Sequence, residues 1–138
     1  MPNPTVFIAE DDEAILELLR IRLELARYST IFARDGRAAI DGIIKHMPDA
    51  IVLDIGLPNC DGFEVLQTVR ENSKTRDIPV LVLTARHDTG DVQRAILCGA
   101  QDYLAKPFDD QKFLARVARL VKNAASSKSL IAGEVYEV

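Results

Sequence analysis

The chain has 138 residues, close to the roughly 150 expected per domain, so it holds one compact domain with little to spare. Apolar residues make up 48% and charged residues 28%, which supplies one core and a charged surface and excludes disordered and collagen-like classes. The 17 Lys plus Arg against 21 Asp plus Glu leave a net charge of -4, which argues against general affinity for nucleic-acid phosphates or anionic lipid.

Short apolar runs alternate with longer segments of helical period, the pattern of a parallel sheet covered by helices. Thr5 to Ala9 reads as the first strand, followed by an amphipathic helix with Ala14, Ile15, Leu18, Leu19, Leu23 and Leu25 near i, i+3, i+4 spacing. Ser29 to Ala33 mixes hydroxyls with apolar residues and suits an edge strand. Asp35-Gly36 opens a second helix that ends by Met47, because Pro48 disfavours helical geometry in the residue before it. Ala50 to Leu53 and Val80 to Thr84 are apolar without alternation, as strands covered on both faces must be, and are read as central. A third helix spans about Gly62 to Ser73, and a fourth runs from Thr89 or Gly90 to Cys98, stopped by Gly99. The fifth strand is Tyr103 to Ala105 and the fifth helix Asp109 to about Asn123. Residues 1–124 form the domain and 125–138 a tail or linker, with Ile131 to Val138 read as the start of a further strand.

No window approaches the roughly 20 consecutive apolar residues of a membrane-spanning helix, and MPNPTVFIAEDD turns acidic too soon for a signal peptide. Cys60 and Cys98 lie far apart and read as free thiols. The expectation is a cytoplasmic protein with neither a membrane nor nucleic acid as direct partner.

Five strands and five helices in strict alternation, with right-handed crossovers, give an α/β fold with an open, doubly wound, five-stranded parallel sheet. Its ligand site lies beyond the carboxyl ends of the strands. There stand Glu10-Asp11-Asp12-Glu13 after the first strand, Asp54 after the third, Thr84 at the end of the fourth and Lys106-Pro107 after the fifth. Each has a plain reading alone: an acidic first helical turn, a loop carboxylate, a strand-terminal Thr and a solvated Lys. Together, crowded carboxylates repel and raise one another's pKa unless a cation intervenes. Oxygen ligands, with His46 and His87 both away from the acids, favour Mg²⁺ over Zn²⁺. Thr84 and Lys106 suit the oxygens of a phosphoryl group.

These residues resemble the CheY-like receiver domain of two-component response regulators. The resemblance covers about Pro4 to Asn123 and rests on the acidic pair, Asp54 to Gly62, Leu83-Thr84-Ala85 and Gly99 to Phe108 in register; 43 residues separate Asp11 from Asp54, 30 separate Asp54 from Thr84 and 52 separate Asp54 from Lys106. It implies a (βα)5 flavodoxin-like fold with strand order 2-1-3-4-5. It also implies a phosphoryl group received on Asp54 from a sensor histidine kinase or phosphotransfer protein. Asp11 and Asp54 would bind Mg²⁺ directly, Glu10 mostly through water, and the Gly56 carbonyl would complete the protein ligands. Lys106, whose bond to Pro107 is usually cis in this family, would pair with phosphoryl oxygens. Thr84 and Tyr103 would form a switch pair that reshapes the face of the fourth helix, fifth strand and fifth helix.

That face would signal to a downstream protein or to an output domain missing from this sequence, and would support a homodimer. Asp102 and Arg116 pair either across that dimer or within one chain. No enzyme activity is expected beyond Mg²⁺-dependent self-phosphorylation and self-dephosphorylation. Gly56 stands where the family often has a larger residue, which leaves the phosphoryl group less shielded, and Arg86 either contacts phosphate or is solvated. Two alternatives are weaker. An aspartyl-phosphate phosphatase of the haloacid dehalogenase type would want a second Asp at position 56. A flavodoxin-like binding or interaction module would want a Gly- or Ser-rich loop at Glu10 to Glu13 if it bound a nucleotide or flavin.

Overall fold

The computed structural model describes residues 3–85 and 89–137. Among them five strands and five helices alternate: β1 (Thr5–Ala9), α1 (Glu13–Leu25), β2 (Ser29–Ala33), α2 (Gly36–His46), β3 (Ala50–Asp54), α3 (Gly62–Glu71), β4 (Val80–Ala85), α4 (Thr89–Leu97), β5 (Asp102–Lys106) and α5 (Asp110–Glu137). All pairings are parallel and the sheet order is β2-β1-β3-β4-β5, the doubly wound flavodoxin-like arrangement that the family resemblance implies. Every residue of β3 is buried, whereas β2 lies at an edge and is half-exposed.

Because successive strand residues point to opposite faces, β1 divides its side chains between two cores. Phe7 and Ala9 join α2 and α3 through Ile43, Val65, Leu66 and Val69, while Val6 and Ile8 join α1 and α5 through Leu19, Leu23, Phe113 and Val117. Helix starts are set by carboxylate caps: Asp12, Asp35 and Asp61 accept the amides of Ile15, Ala38 and Glu64 at 3.0, 2.8 and 3.0 Å. As expected, α2 stops before Pro48, with Met47 left-handed at φ 48°.

Two helix ends differ by more than one residue from the sequence expectation. The third helix closes at Glu71 rather than Ser73, because the Asn72 side chain takes the Lys74 amide at 2.9 Å and Thr75 donates its hydroxyl to the Val69 carbonyl at 2.7 Å. Such local bonds compete with the helical ladder. The fifth helix runs to Glu137, well past Asn123 and through the residues read as a strand start. Ala, Ser, Lys and Leu follow Asn123 with no proline, so no helix breaker intervenes before Gly133.

The end of the sheet opposite the acids is joined by Arg70. From the last turn of α3 its guanidinium donates to the carbonyls of Gly99, Arg76 and Ile78 and to Gln101 Oε1, at 2.9, 2.9, 2.7 and 2.7 Å. Gln101 Oε1 also accepts the Val80 amide at 2.7 Å. Arg70→Met strips charged donors from partly buried carbonyls and should lower unfolding free energy by roughly 2–3 kcal/mol. Urea denaturation checks this; a loss below about 0.5 kcal/mol, the size of an ordinary surface substitution, would show that the network does not join the helix to the sheet.

Candidate functional site

The parallel strands bring their carboxyl ends to one rim, and the four acids after β1 part company there. Glu10 is fully buried and accepts Lys106 Nζ at 2.7 Å and the Asp12 amide at 3.2 Å. Asp11 is exposed, Asp12 caps α1 and Glu13 enters its first turn. The plain reading of this run as helix-terminal acid thus fits Asp12 and Glu13, while Glu10 turns inward.

Asp54, the last residue of central β3, is 8% exposed. Its Oδ1 accepts the Gly56 amide at 3.1 Å and its Oδ2 stands 3.4 Å from Lys106 Nζ. One carboxylate oxygen from each of Glu10, Asp11 and Asp54 lies within 4.8 Å of the others. Thr84 ends up buried in β4, and its hydroxyl has no hydrogen-bond partner among the described residues. Such an orphaned group inside a protein is costly unless it serves a ligand. The Lys106-Pro107 peptide is cis. The space at Gly56 is open: an added Cβ would meet only Asp54 Oδ1, at 3.8 Å.

The electrostatics follow from crowding. Burial pushes the Glu10 carboxyl up; the Lys106 hydrogen bond pulls it back, Asp54 adds to the rise, and the balance lies at about 7. For Lys106, burial pulls downward but the Glu10 and Asp54 carboxylates outweigh it and hold the ammonium above its ordinary value. Lys106 is therefore charged throughout the neutral range. The donor set is all oxygen, with neither His nor thiolate in it, and suits a hard ion such as Mg²⁺.

Tyr103 lies opposite Val82 in the register and Thr84 opposite Ala105, so the two residues share a sheet face two positions apart. Tyr103 is 39% exposed. Asp102 pairs within the chain, with Arg116 at 2.6 Å and Arg119 at 2.9 Å. Arg86 and His87 lie outside the described residues. Beside the site, Ile15, Leu18, Leu19, Pro107 and Phe108 line a groove of about 770 Å³ that reaches Lys106. One residue near the acids has no role in the sequence reading: Arg34, just after β2, donates to the Asp11 carbonyl at 3.2 Å. A cation immediately past a strand end was the available signal.

A five-stranded parallel sheet in this order, with an acid pair, a central Asp, a Thr and a Lys at the carboxyl ends of its strands, defines a class of α/β domain with an acidic site at one rim of the sheet. The profile of the response regulator receiver domain matches residues 6–118, and the chain belongs to that family. Among curated relatives, the DNA-binding dual master transcriptional regulator RpaA of Synechocystis is 44% identical over 119 residues, covering 86% of this chain and 49% of that protein. The response regulator MprA of Mycolicibacterium vanbaalenii is 41% identical over 117 residues, covering 85% and 50%. The chain thus spans about half the length of these relatives.

Among solved structures, the chemotaxis protein CheY4 of Vibrio cholerae is 30% identical with a TM-score of 0.80, covering 86% of this chain and 98% of that one. The receiver domain of the sensor histidine kinase PA1611 of Pseudomonas aeruginosa is 27% identical with a TM-score of 0.81, covering 87% and 98%, and is described with a magnesium ion coordinated in its active site cleft. No helix among the described residues is long and apolar enough to cross a membrane.

The raised Glu10 carboxyl has a signed consequence. A carboxyl whose folded value, about 7, exceeds its ordinary 4.5 adds stability that is full below the lower value and lost as pH rises through the upper one. In metal-free protein, the urea midpoint of wild type should therefore fall more between pH 5 and pH 8 than that of Glu10→Gln. Parallel midpoints for the two proteins would show that Glu10 ionises normally.

Proposed function

We propose that this domain receives a phosphoryl group on Asp54 from a histidine kinase or phosphotransfer protein and uses the modified state to signal. The observation that carries the reading is Asp54 at the end of the central strand, 3.4 Å from Lys106 Nζ and clustered with Glu10 and Asp11. A carboxylate attacks a phosphoryl group against charge repulsion. Asp11, Asp54 and the Gly56 carbonyl would hold Mg²⁺, with Glu10 beside them, and the bound ion would supply the offsetting positive charge. An Asp54 oxygen forms the new bond to phosphorus as the bond to the donor nitrogen breaks. Lys106 shifts its hydrogen bonds from the two carboxylates towards the phosphoryl oxygens, and the unpartnered Thr84 hydroxyl gains an acceptor.

The phosphoryl group brings roughly -1.5 to -2 charge and new acceptor oxygens. Thr84 moving towards it vacates room for Tyr103, and the α4-β5-α5 face changes shape. That face, with Ile96, Leu97 and Tyr103 exposed, meets a downstream protein, an output domain or a second copy of the chain. Residues 1–124 act as the receiver and 125–138 as the segment leaving it. The net charge of -4 supports a domain that does not itself bind nucleic acid. It works in the cytoplasm, with chemistry on itself as its sole catalysis.

Incubation with acetyl phosphate and Mg²⁺ should add one phosphoryl group to wild type and none to Asp54→Ala, read by intact mass. Labelling of Asp54→Ala at the wild-type level would overturn the acceptor assignment. Mg²⁺ binding should suffer more from Asp11→Asn than from Glu10→Gln, because this ion dehydrates reluctantly and direct ligands count most. Loss of phosphate should be slower in Gly56→Met than in wild type, since a side chain there can obstruct a water in line with the phosphorus. Equal decay rates at equal Mg²⁺ affinity would show that access at position 56 does not set the lifetime.

A further inference from the structure

Arg34 sits on a turn that has little freedom. The register of β1 and β2 ends with Ala9 opposite Ala33, and the next step is taken by the Glu10 amide donating to the Ala33 carbonyl at 3.1 Å. Arg34 consequently emerges beside Asp11. Just beyond it, Asp35 caps α2, and the Gly36 amide donates to the Pro58 carbonyl at 3.1 Å. A Cβ at Gly36 would fall 1.8 Å from the Cys60 carbonyl oxygen, so this turn is seated directly against the loop that follows Asp54. From that base the Arg34 guanidinium donates to the Asp11 carbonyl at 3.2 Å.

Asp11 needs such a support. Its neighbours are each committed elsewhere, Glu10 to Lys106 and Asp12 to the first turn of α1. The Asp11 carboxylate is exposed and makes no hydrogen bond to another described residue, yet it must face Glu10 and Asp54 to join the cluster. Arg34, for its part, has no carboxylate within ion-pair distance among the described residues, so its bond to the Asp11 peptide is not a by-product of a salt bridge. We infer that Arg34 is a positioning residue for the metal site: it fixes the Asp11 peptide so that the carboxylate stays aimed at the ion position. This deepens the Mg²⁺ reading above and rests on it for its consequence, though not for the contact itself.

The sign of the effect separates positioning from mere proximity. A guanidinium close to a bound divalent cation repels it, so deleting a bystander charge would tighten Mg²⁺ binding. Deleting a group that orients a ligand weakens it, by about tenfold at the lower end of such effects. The test uses the whole chain and two measurements on wild type, Arg34→Ala and Arg34→Lys. In metal-free protein, ¹⁵N relaxation should report lower order at Asp11 and Asp12 in Arg34→Ala, with partial recovery in Arg34→Lys, which keeps a charged donor. In Mg²⁺ titrations, Arg34→Ala should bind more weakly by about tenfold and Arg34→Lys should lie between it and wild type. Unchanged order at Asp11, or Mg²⁺ binding in Arg34→Ala equal to or tighter than wild type, overturns the inference. If wild type itself binds no Mg²⁺, the metal reading falls, and the relaxation comparison still decides whether Arg34 holds Asp11.

Discussion

Three carboxylates at the end of a buried parallel sheet repel one another, and Lys106 is the cation that the described structure sets among them. At 2.7 Å from Glu10 and 3.4 Å from Asp54, it neutralises part of a cluster whose separation is otherwise set by strand spacing. One ammonium against three acids leaves the site short of positive charge. Glu10 answers by holding its proton towards neutrality, which is how a buried carboxyl responds when burial and a like charge outweigh its partner. Among the described residues the site thus carries more negative than positive charge, and the buried Thr84 hydroxyl has no hydrogen-bond partner there. A small, strongly charged ligand carrying both cation and oxygen acceptors meets both needs at once.

The scaffold around this deficit is uneven in its anchoring. α3 buries Phe63, Val65, Leu66 and Val69, whereas Ala95 is the one buried side chain among those described in α4. The outward side of α4 carries Ile96 at 51% and Leu97 at 87% exposure. Besides Ala95, which joins the α3 side chains in the core, α4 meets α3 through a stack of the Arg94 guanidinium on the Phe63 ring at 4.0 Å. Elements with few buried apolar contacts open at lower free energy than the rest of a domain. The low-stability part of this molecule therefore lies beside β5, while the Arg70 network fastens the far end of β4 and β5 to α3.

Much of this was legible in the sequence because it depends on local rules. Unalternated apolar runs marked β3 and β4 as interior, Asp35-Gly36 and Pro48 bracketed α2, and the rim residues followed once the strand ends were located. The matched segments around Asp54, Thr84 and Lys106 gave the family. Three things escaped, each for its own reason. The split of the Glu10 to Glu13 run into one inward, one exposed and two helical acids depends on rotation at the end of β1, where strand periodicity no longer applies. The Arg34 contact joins residues 23 apart in sequence, with no local signature in either. The continuation of α5 through residues 125–137 reflects the absence of a breaker, and composition alone suggested a linker there. Within the chain, Asp102 pairs with Arg116 and Arg119, one of the two arrangements that the sequence left open.

The bond between Glu10 and Lys106 spans 96 residues, and synthesis proceeds from the amino end. A growing chain that has laid down β1, β3 and the loops between them already carries all three carboxylates, and Lys106 arrives 52 residues after Asp54. Any intermediate lacking β5 holds the acids without their counter-charge. The docking of the last strand then does more than add an edge to the sheet, because it relieves a repulsion that the earlier strands have created. Completion of the fold is thereby drawn forward by charge as well as by apolar burial, and a chain truncated before Lys106 keeps the repulsion while losing its remedy.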